Sequence, residues 1–361
     1  MTKIKKAILT GGGRATRLRP ITTTINKHLI PLANKPMIFH AIEKVVEAGV
    51  EEIFINTNPG EKQLQEVIGD GGHWGVSIKY FEQTGGPQGI AHVVKCAQKF
   101  IGNDPFIFYL SDNIIIGGIN HLYRYFSENS LDCLLSFATV PDPERFGNPI
   151  FNAAGELVDV VEKFAKPANQ FAQTGIYFYG PKVFFKAFDH IKKSPRGEYE
   201  ISDIHSYLLK NNYKVGWQEI TGWWKDTGKP DDLIMANKLL MDEIPAQNFK
   251  REGMIEGGAI FEGNVSIGVG TTVAPDVKMI GPVIIGPNAS LKNCSIGPHV
   301  TIGPGSIIEK ATIINSIIFS NNIIRTDKTI YDSIIGDSAK IIDGGKNNHE
   351  RLILGDHTVI E

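Results

Sequence analysis

Two hydrophobic patterns divide this chain. Over the first two thirds, short continuous apolar runs alternate with stretches of helical period. The apolar runs at 7–9, 52–56, 106–110, 133–138 and 175–179 read as strands buried on both faces. Residues 37–48, 61–68 and 90–100 carry apolar side chains at helical spacing. Strands alternating with helices predict an α/β domain with a mostly parallel sheet, binding ligands beyond the carboxyl ends of its strands. From about Gly257 the period becomes six: Ile267, Val273, Met279, Ile285 and Leu291, then a step of five, then Ile296, Ile302, Ile308 and Ile314. Gly follows the aliphatic at Gly268, Gly286, Gly297, Gly303, Gly336 and Gly355. A period of six fits neither a helix nor an ordinary strand, and a β-sandwich would not hold it in register. It predicts a triangular β-solenoid with one aliphatic core residue per side. The division by period is 1–240, a connector at 241–256 containing Pro245 and Lys250-Arg251-Glu252, and 257–361.

Composition narrows the function classes. At 361 residues the chain is long enough for two cores. A formal net charge of −2 supplies no global basic field for nucleic acid or anionic membrane. Cys96, Cys133 and Cys294 are odd in number and far apart, with no C-x-x-C pair, which suits neither a disulfide framework nor zinc and fits a reducing cytoplasm. The apolar run after Lys3, Lys5 and Lys6 stops at Gly11, too short for a signal-peptide core. No stretch approaches the ~20 apolar residues that span a bilayer. The expectation is a cytoplasmic protein with no membrane and no nucleic-acid partner.

The most informative segment is Leu9-Thr10-Gly11-Gly12-Gly13-Arg14-Ala15-Thr16-Arg17-Leu18-Arg19-Pro20. Gly11, Gly12 and Gly13 strip a turn of Cβ atoms at the end of the first strand, so backbone N–H groups can approach a ligand closely. Arg17 and Lys27 add fixed positive charge, the combination that polyphosphate favours. Thr16 stands where G-x-G-x-x-G needs its last Gly, and the Gly-Lys-Ser/Thr of a P-loop is absent. With Pro20, Thr22, Lys27, Pro31, Lys35 and Pro36, the segment resembles the signature of the sugar-1-phosphate nucleotidyltransferases, Gly-Gly-x-Gly-Thr-Arg-Leu-x-Pro-x-Thr followed by Lys-x-x-x-Pro-x-x-x-Lys-Pro. The resemblance is closest to the long-form glucose-1-phosphate thymidylyltransferases and extends over essentially the whole chain. It implies a Rossmann-like nucleotidyltransferase domain followed by a left-handed β-helix. One departure stands in the loop. Ala15 replaces the family's Gly, and a methyl there is tolerated only at negative φ and away from the nucleotide.

Nucleotidyl transfer needs no nucleophilic side chain, because the sugar phosphate itself attacks. It needs a divalent cation and fixed positive charge. Mg²⁺ prefers hard oxygen ligands and keeps waters, so two carboxylates suffice. Ser111-Asp112-Asn113 follows a buried run and resembles the family's Gly-Asp-Asn metal motif. Trp224, Asp226 and Gly228 match its Trp-x-Asp-x-Gly segment. The resemblance therefore implies that Asp112 and Asp226 share one Mg²⁺. Each segment read alone is also a common turn.

The sugar side is implied in the same way. Gly147, in Arg145-Phe146-Gly147, presents its backbone to the hexose; Glu162 binds hydroxyls and Lys163 the phosphate, with Phe164 in place of the family's Pro. Thr174 supplies a polar contact from the strand after Asn169. Arg196-Gly197-Glu198-Tyr199-Glu200-Ile201-Ser202-Asp203 either contributes carboxylates to the hydroxyls or simply begins a helix. For the base, Gln83 and Gly89 resemble a Gln-x-x-x-x-Gly-Leu-Ala segment that pairs with a pyrimidine, though one residue further apart; Gln88 or Glu82 are alternatives. His28 either packs or contacts the base. The activity that the resemblance implies transfers a nucleotidyl group from an NTP, dTTP in first place and UTP as the other pyrimidine nucleotide, to a sugar 1-phosphate, glucose 1-phosphate in first place, giving an NDP-sugar and pyrophosphate, in a homo-oligomer. A UTP-dependent uridylyltransferase acting on glucose 1-phosphate or N-acetylglucosamine 1-phosphate, and a catalytically silent scaffold, are the rival expectations.

Overall fold

The computed structural model describes residues 3–220, 222–342 and 349–361. By packing, the chain forms two compact units: 1–13 with 38–226, and 14–37 with 227–361.

The first unit is built on a seven-stranded sheet. Its strands are β1 (Lys6–Thr10), β2 (Glu52–Thr57), β3 (Ser77–Glu82), β4 (Phe106–Tyr109), β5 (Cys133–Thr139), β6 (Phe171–Tyr179) and β7 (Val215–Glu219). Their order across the sheet is β7-β5-β6-β4-β1-β2-β3. All neighbours run parallel except β6, which is antiparallel to both β4 and β5. Ala7, Ile8, Leu9, Phe106, Ile107 and Phe108 are wholly buried, which is why these runs are apolar without alternation. The chain leaves β1 toward β2 on one side and is joined on the other by β4. The crevice beyond β1 and β4 is therefore the topological switch point, where open α/β sheets bind ligands. Two antiparallel ribbons accompany the sheet: Gly147–Phe151 with Leu157–Glu162, and Asn113–Ile115 with Trp224–Asp226.

The second unit holds the solenoid, a β-helix of three parallel sheets with seven, six and six strands. Ile260 pairs with Lys278, eighteen residues on, so three hexads make one coil. Later coils shorten: Val283 pairs with Val300 and Thr301 with Ile317. Ile267, Val273, Met279, Ile285, Leu291, Ile296, Ile302 and Ile308 all point inward, as the period predicts. The expectation for Ile314 is corrected. A second step of five brings Ile313 inside, stacked between Ile296 and Ile330, while Ile314 is only partly buried.

Pairing of the coil begins before Gly257, because Met254–Ile255 pairs with Thr272–Val273. Residues 14–37 pack with this unit rather than with the sheet they follow. Asn34 Nδ2 donates to the Ile302 carbonyl (2.8 Å), Ala33 N–H donates to Asn237 Oδ1 (2.7 Å), and Thr24 Oγ1 donates to Asp356. Packing thus divides the chain differently from hydrophobic period, since a short loop leaves no periodic signal.

Candidate active site

The glycine turn leaves β1 at the switch point, and its backbone is partly engaged from within. Gly11 N–H donates to Asn56 Oδ1 (3.1 Å) and Gly13 N–H to Asn58 Oδ1 (2.8 Å). Gly13 sits at φ +121°, a region open to glycine and strained for other residues. Ala15 corrects the sequence expectation. Its φ is +42°, left-handed rather than negative, so the methyl is held in a conformation costing ~1 kcal/mol.

Beside this turn, Ser111 ties the end of β4 to the root of the loop. Its N–H donates to Thr10 Oγ1 (3.0 Å) and its hydroxyl to the Thr10 carbonyl. Asp112 follows, half-buried. Asp226 lies directly opposite Asn113 in the antiparallel ribbon. Asp112 directly precedes the Asn113 that faces Asp226, so two positions 114 residues apart in sequence come from neighbouring points of the backbone. Asn113 joins the pieces: Nδ2 donates to Asp112 Oδ1 (3.0 Å), while Oδ1 accepts from Trp224 Nε1–H (2.7 Å) and Gly175 N–H (3.0 Å). A Cβ at Gly175 would lie 2.6 Å from Asn113 Cγ, so this position requires glycine. Trp224 also packs edge-on against Phe146, 5.1 Å between centroids. Asn113 is no site residue in the sequence reading, although it is the last residue of the segment that resembles the Gly-Asp-Asn motif.

Oxygen donors at Asp112 and Asp226 are the chemistry that Mg²⁺ or a similar hard cation favours. Among the described residues, no three His, Cys, Asp or Glu side chains gather as a metal cage. An ion held here would complete its shell with water and substrate oxygens, the arrangement usual for Mg²⁺.

Gly147 and Glu162 face each other across the second ribbon, and Lys163 N–H donates to the Phe146 carbonyl (2.9 Å). The Glu162 and Lys163 side chains line a cleft of about 460 Å³ with Arg196, Glu200 and Asp203. Burial pushes the Glu162 carboxyl up from its ordinary range, opposed by Lys163. Arg196, which sequence reasoning left unassigned, grips Glu200 through Nε (3.1 Å) and Nη2 (2.8 Å) and lies 3.7 Å from Glu162. Glu200 precedes the helix Ile201–Lys210, and Asp203 lies in its first turn.

Thr174 does not present its side chain to this cleft. It is wholly buried, donating its hydroxyl to the Ser136 carbonyl (3.2 Å). Its neighbour Gln173 supports Gly147 instead: a Cβ at 147 would lie 2.7 Å from Gln173 Oε1. Gln173 Nε2 donates to His205 Nδ1 (2.7 Å), and His205 Nε2 meets the Tyr179 hydroxyl (2.7 Å).

On the base side, the Gln83 amide is engaged internally, with Nε2 donating to the Gly89 carbonyl (3.1 Å) and lying 3.2 Å from His92 Nδ1. Gly89 touches the Tyr199 backbone, and Glu82 accepts from Gly60 N–H (2.9 Å). Gln88 reaches the carbonyls of Thr84 and Gly85.

Arg17 and Lys27 belong to the second unit. Arg17 lies exposed in the turn Thr16–Leu18; Lys27 opens the turn Lys27–Leu29, where Asn26 Oδ1 accepts from His28 N–H (2.8 Å) and the His28 ring is buried.

A bare loop at the switch point of a mostly parallel sheet, with the end of the neighbouring strand tied to its root, is the arrangement of a nucleotide-handling α/β protein. Comparison with known proteins makes the class specific. The nucleotidyl transferase family matches residues 6–243, and the GMPPB C-terminal domain matches 279–361. The chain belongs to the nucleotidyl transferase family. Among its relatives, the low-salt glycan biosynthesis nucleotidyltransferase Agl11 of Haloferax volcanii is 35% identical over 360 residues, 99% of each chain. The glucose-1-phosphate thymidylyltransferase of Streptomyces antibioticus is 32% identical over 358 residues, again 99% of each. A Bacillus anthracis structure solved with sucrose superposes with a TM-score of 0.62 at 35% identity, covering 68% of this chain and 97% of that one.

Proposed function

We propose that this enzyme transfers a nucleotidyl group from dTTP to glucose 1-phosphate, giving a nucleotide sugar and pyrophosphate. The observation that supports the reading is the register of the Asp226 strand, in which Asp226 faces Asn113, the residue that follows Asp112. Thymidylyltransferase relatives matched end to end support dTTP and glucose 1-phosphate as the substrate pair.

In this reading a phosphate oxygen of the sugar phosphate attacks the α-phosphorus as the bond from that phosphorus to the α,β-bridging oxygen breaks. Pyrophosphate carries away the electron pair. Asp112 and Asp226 would hold Mg²⁺, which when bound supplies charge neutralisation at the α-phosphate. Arg17 and Lys27 hold the triphosphate and stabilise charge on the leaving pyrophosphate. Lys163 positions the attacking phosphate. Glu162 and the Gly147 backbone bind hexose hydroxyls, and Gln83 and Gly89 border the base. Gly11, Gly12 and Gly13 give the phosphates close access to the backbone. UTP is the rival nucleotide because a single amide pairs equally with either pyrimidine edge.

A pyrophosphate-release assay with Mg²⁺, dTTP, the four ribonucleotides and a panel of sugar 1-phosphates tests this. Highest kcat/KM is expected for dTTP with glucose 1-phosphate. Preference for UTP would select the uridylyltransferase, and silence across the panel would select a scaffold. Asp226→Asn should abolish turnover while leaving the thermal midpoint nearly unchanged.

A further inference from the structure

We propose that Arg351, carried on the β-helix, is a phosphate-binding residue that takes the tail of the nucleotide together with Arg17 and Lys229. The inference rests on the nucleotidyl-transfer reading. Within the second unit, a cleft of about 580 Å³ is lined by Arg17, Lys229, Pro230, Asp231, Arg351 and Ile353. Three cations there face one carboxylate. The cleft also lies at the start of the fourteen-residue helix Pro230–Glu243, whose N-terminus adds partial positive charge.

The surplus is not consumed internally. Among the described residues, neither the Arg17 guanidinium nor the Lys229 ammonium has a hydrogen bond or ion pair. Arg351 is different, because its head is held. Nε donates to the Asp332 carbonyl (3.2 Å), which fixes the plane of the guanidinium and directs Nη2 to Asp231. Asp231 is 74% exposed, and a solvated pair of that kind is weak. A phosphate group offers more charge in a geometry that suits the guanidinium fork, and can take Arg351 from Asp231.

Two of the cleft's cations follow closely in sequence on the motifs of the proposed function. Arg17 comes four residues after Gly13, and Lys229 three residues after Asp226. Of the six lining residues four are charged, three of them cations, and their heads set the chemistry of the cleft. The group it fits is a diphosphate: the β- and γ-phosphates of the nucleotide before transfer, and pyrophosphate after it.

Calorimetric titration of the full-length protein with pyrophosphate, and kinetics in both directions, test the inference in Arg351→Gln, Arg351→Lys and Asp231→Asn. Arg351→Gln is expected to weaken pyrophosphate binding and raise the nucleotide KM about tenfold each, the scale of one charge-assisted bond. The KM for the sugar 1-phosphate should stay within about twofold, because that ligand does not enter the cleft. Arg351→Lys should recover part of the loss, and Asp231→Asn should tighten pyrophosphate by removing the competitor.

Equal losses in Asp231→Asn and Arg351→Gln would mean the pair merely braces the fold, and would overturn the inference. So would unchanged pyrophosphate binding and nucleotide KM in Arg351→Gln, including the case where only a separate phosphorylated effector loses its influence. A wild type that binds pyrophosphate through Arg351 yet forms no nucleotide sugar would overturn the proposed function and leave the cleft's chemistry standing. An active wild type indifferent to Arg351 would do the reverse.

Discussion

At the residue scale, two buried polar side chains hold the candidate site together, and neither is a reacting group. Asn113 satisfies donors on Trp224 and Gly175 while orienting Asp112. Asn113→Ala leaves two buried N–H groups unpaired and should destabilise by about 2–4 kcal/mol. Since Asp112 also loses its restraint, kcat should fall at least about tenfold even at temperatures where the variant is folded. Chemical denaturation paired with initial rates separates the two effects; an Asn113→Ala enzyme with normal kcat would show that the carboxylate needs no such anchor.

His205 carries the second prediction. Burial lowers its pKa to about 3, and its two ring nitrogens are committed to Gln173 and Tyr179, with Gln173 in turn beneath Gly147. The folded state therefore keeps the ring neutral where the unfolded chain protonates it near 6.5. The unfolded state binds more protons between those values, so stability rises with pH through this window. The contribution is fully present above about 6.5 and is lost as pH falls toward 3, about 2–4 kcal/mol in all after discounting the full shift. Urea unfolding measured between pH 7 and 4 should show this slope, and His205→Gln should flatten it. An unchanged slope in the variant would assign the acid sensitivity to other groups.

At the element scale, what could be read beforehand tracks what is buried. Strands such as Lys6–Thr10 and Phe106–Tyr109 announce themselves because burial on both faces leaves only apolar residues. The edge strands Ser77–Glu82 and Val215–Glu219 did not, since their exposed and half-buried positions mix Ser, Lys, Gln and Glu with the apolar ones. The pairing of Asn113–Ile115 with Trp224–Asp226 was legible only through the resemblance of its two motifs, because nothing local encodes a contact between such distant segments. The left-handed φ of Ala15 was misjudged for a related reason: tertiary context holds the turn Thr16–Leu18, as where Thr22 Oγ1 donates to the Ala15 carbonyl (2.8 Å). Register in the solenoid shows the limit of period counting. Ile313 and Ile314 are indistinguishable by composition, yet only the first is wholly buried. Ile313→Ala should cost about 2–5 kcal/mol and Ile314→Ala well under that. Equal losses in thermal unfolding would mean that the second five-residue step is misplaced.

At the scale of the whole molecule, the first coil of the β-helix poses a question that a single chain does not answer. Its strands Met254–Ile255, Ile260–Glu262 and Val265–Ile267 each end a sheet; the last is bridged on its outer edge by Arg251, and among the described residues no strand lies outside the first two. Later coils bury their inward residues on both sides. Here Ile255 pairs with the fully buried Val273 yet is itself exposed, and Met254, Ile260 and Val269 are more than half exposed. Arg251 covers part of the end, stacked over Phe261 at 4.4 Å, but leaves those four uncovered. Solenoids need a polar cap or a partner at their ends, and unpaired strand edges invite pairing with another chain. We therefore expect self-association through this end. Light scattering should give a mass at least twice that of the chain, and Ile260→Glu with Met254→Glu should reduce it to the monomer while leaving the coil folded. Burying these apolar side chains is worth ~25 cal/mol per Å², so an oligomer formed this way weakens on cooling as the hydrophobic term fades. A monomeric wild type at micromolar concentration would rule this interface out, and an oligomer indifferent to both charges would move it to another face.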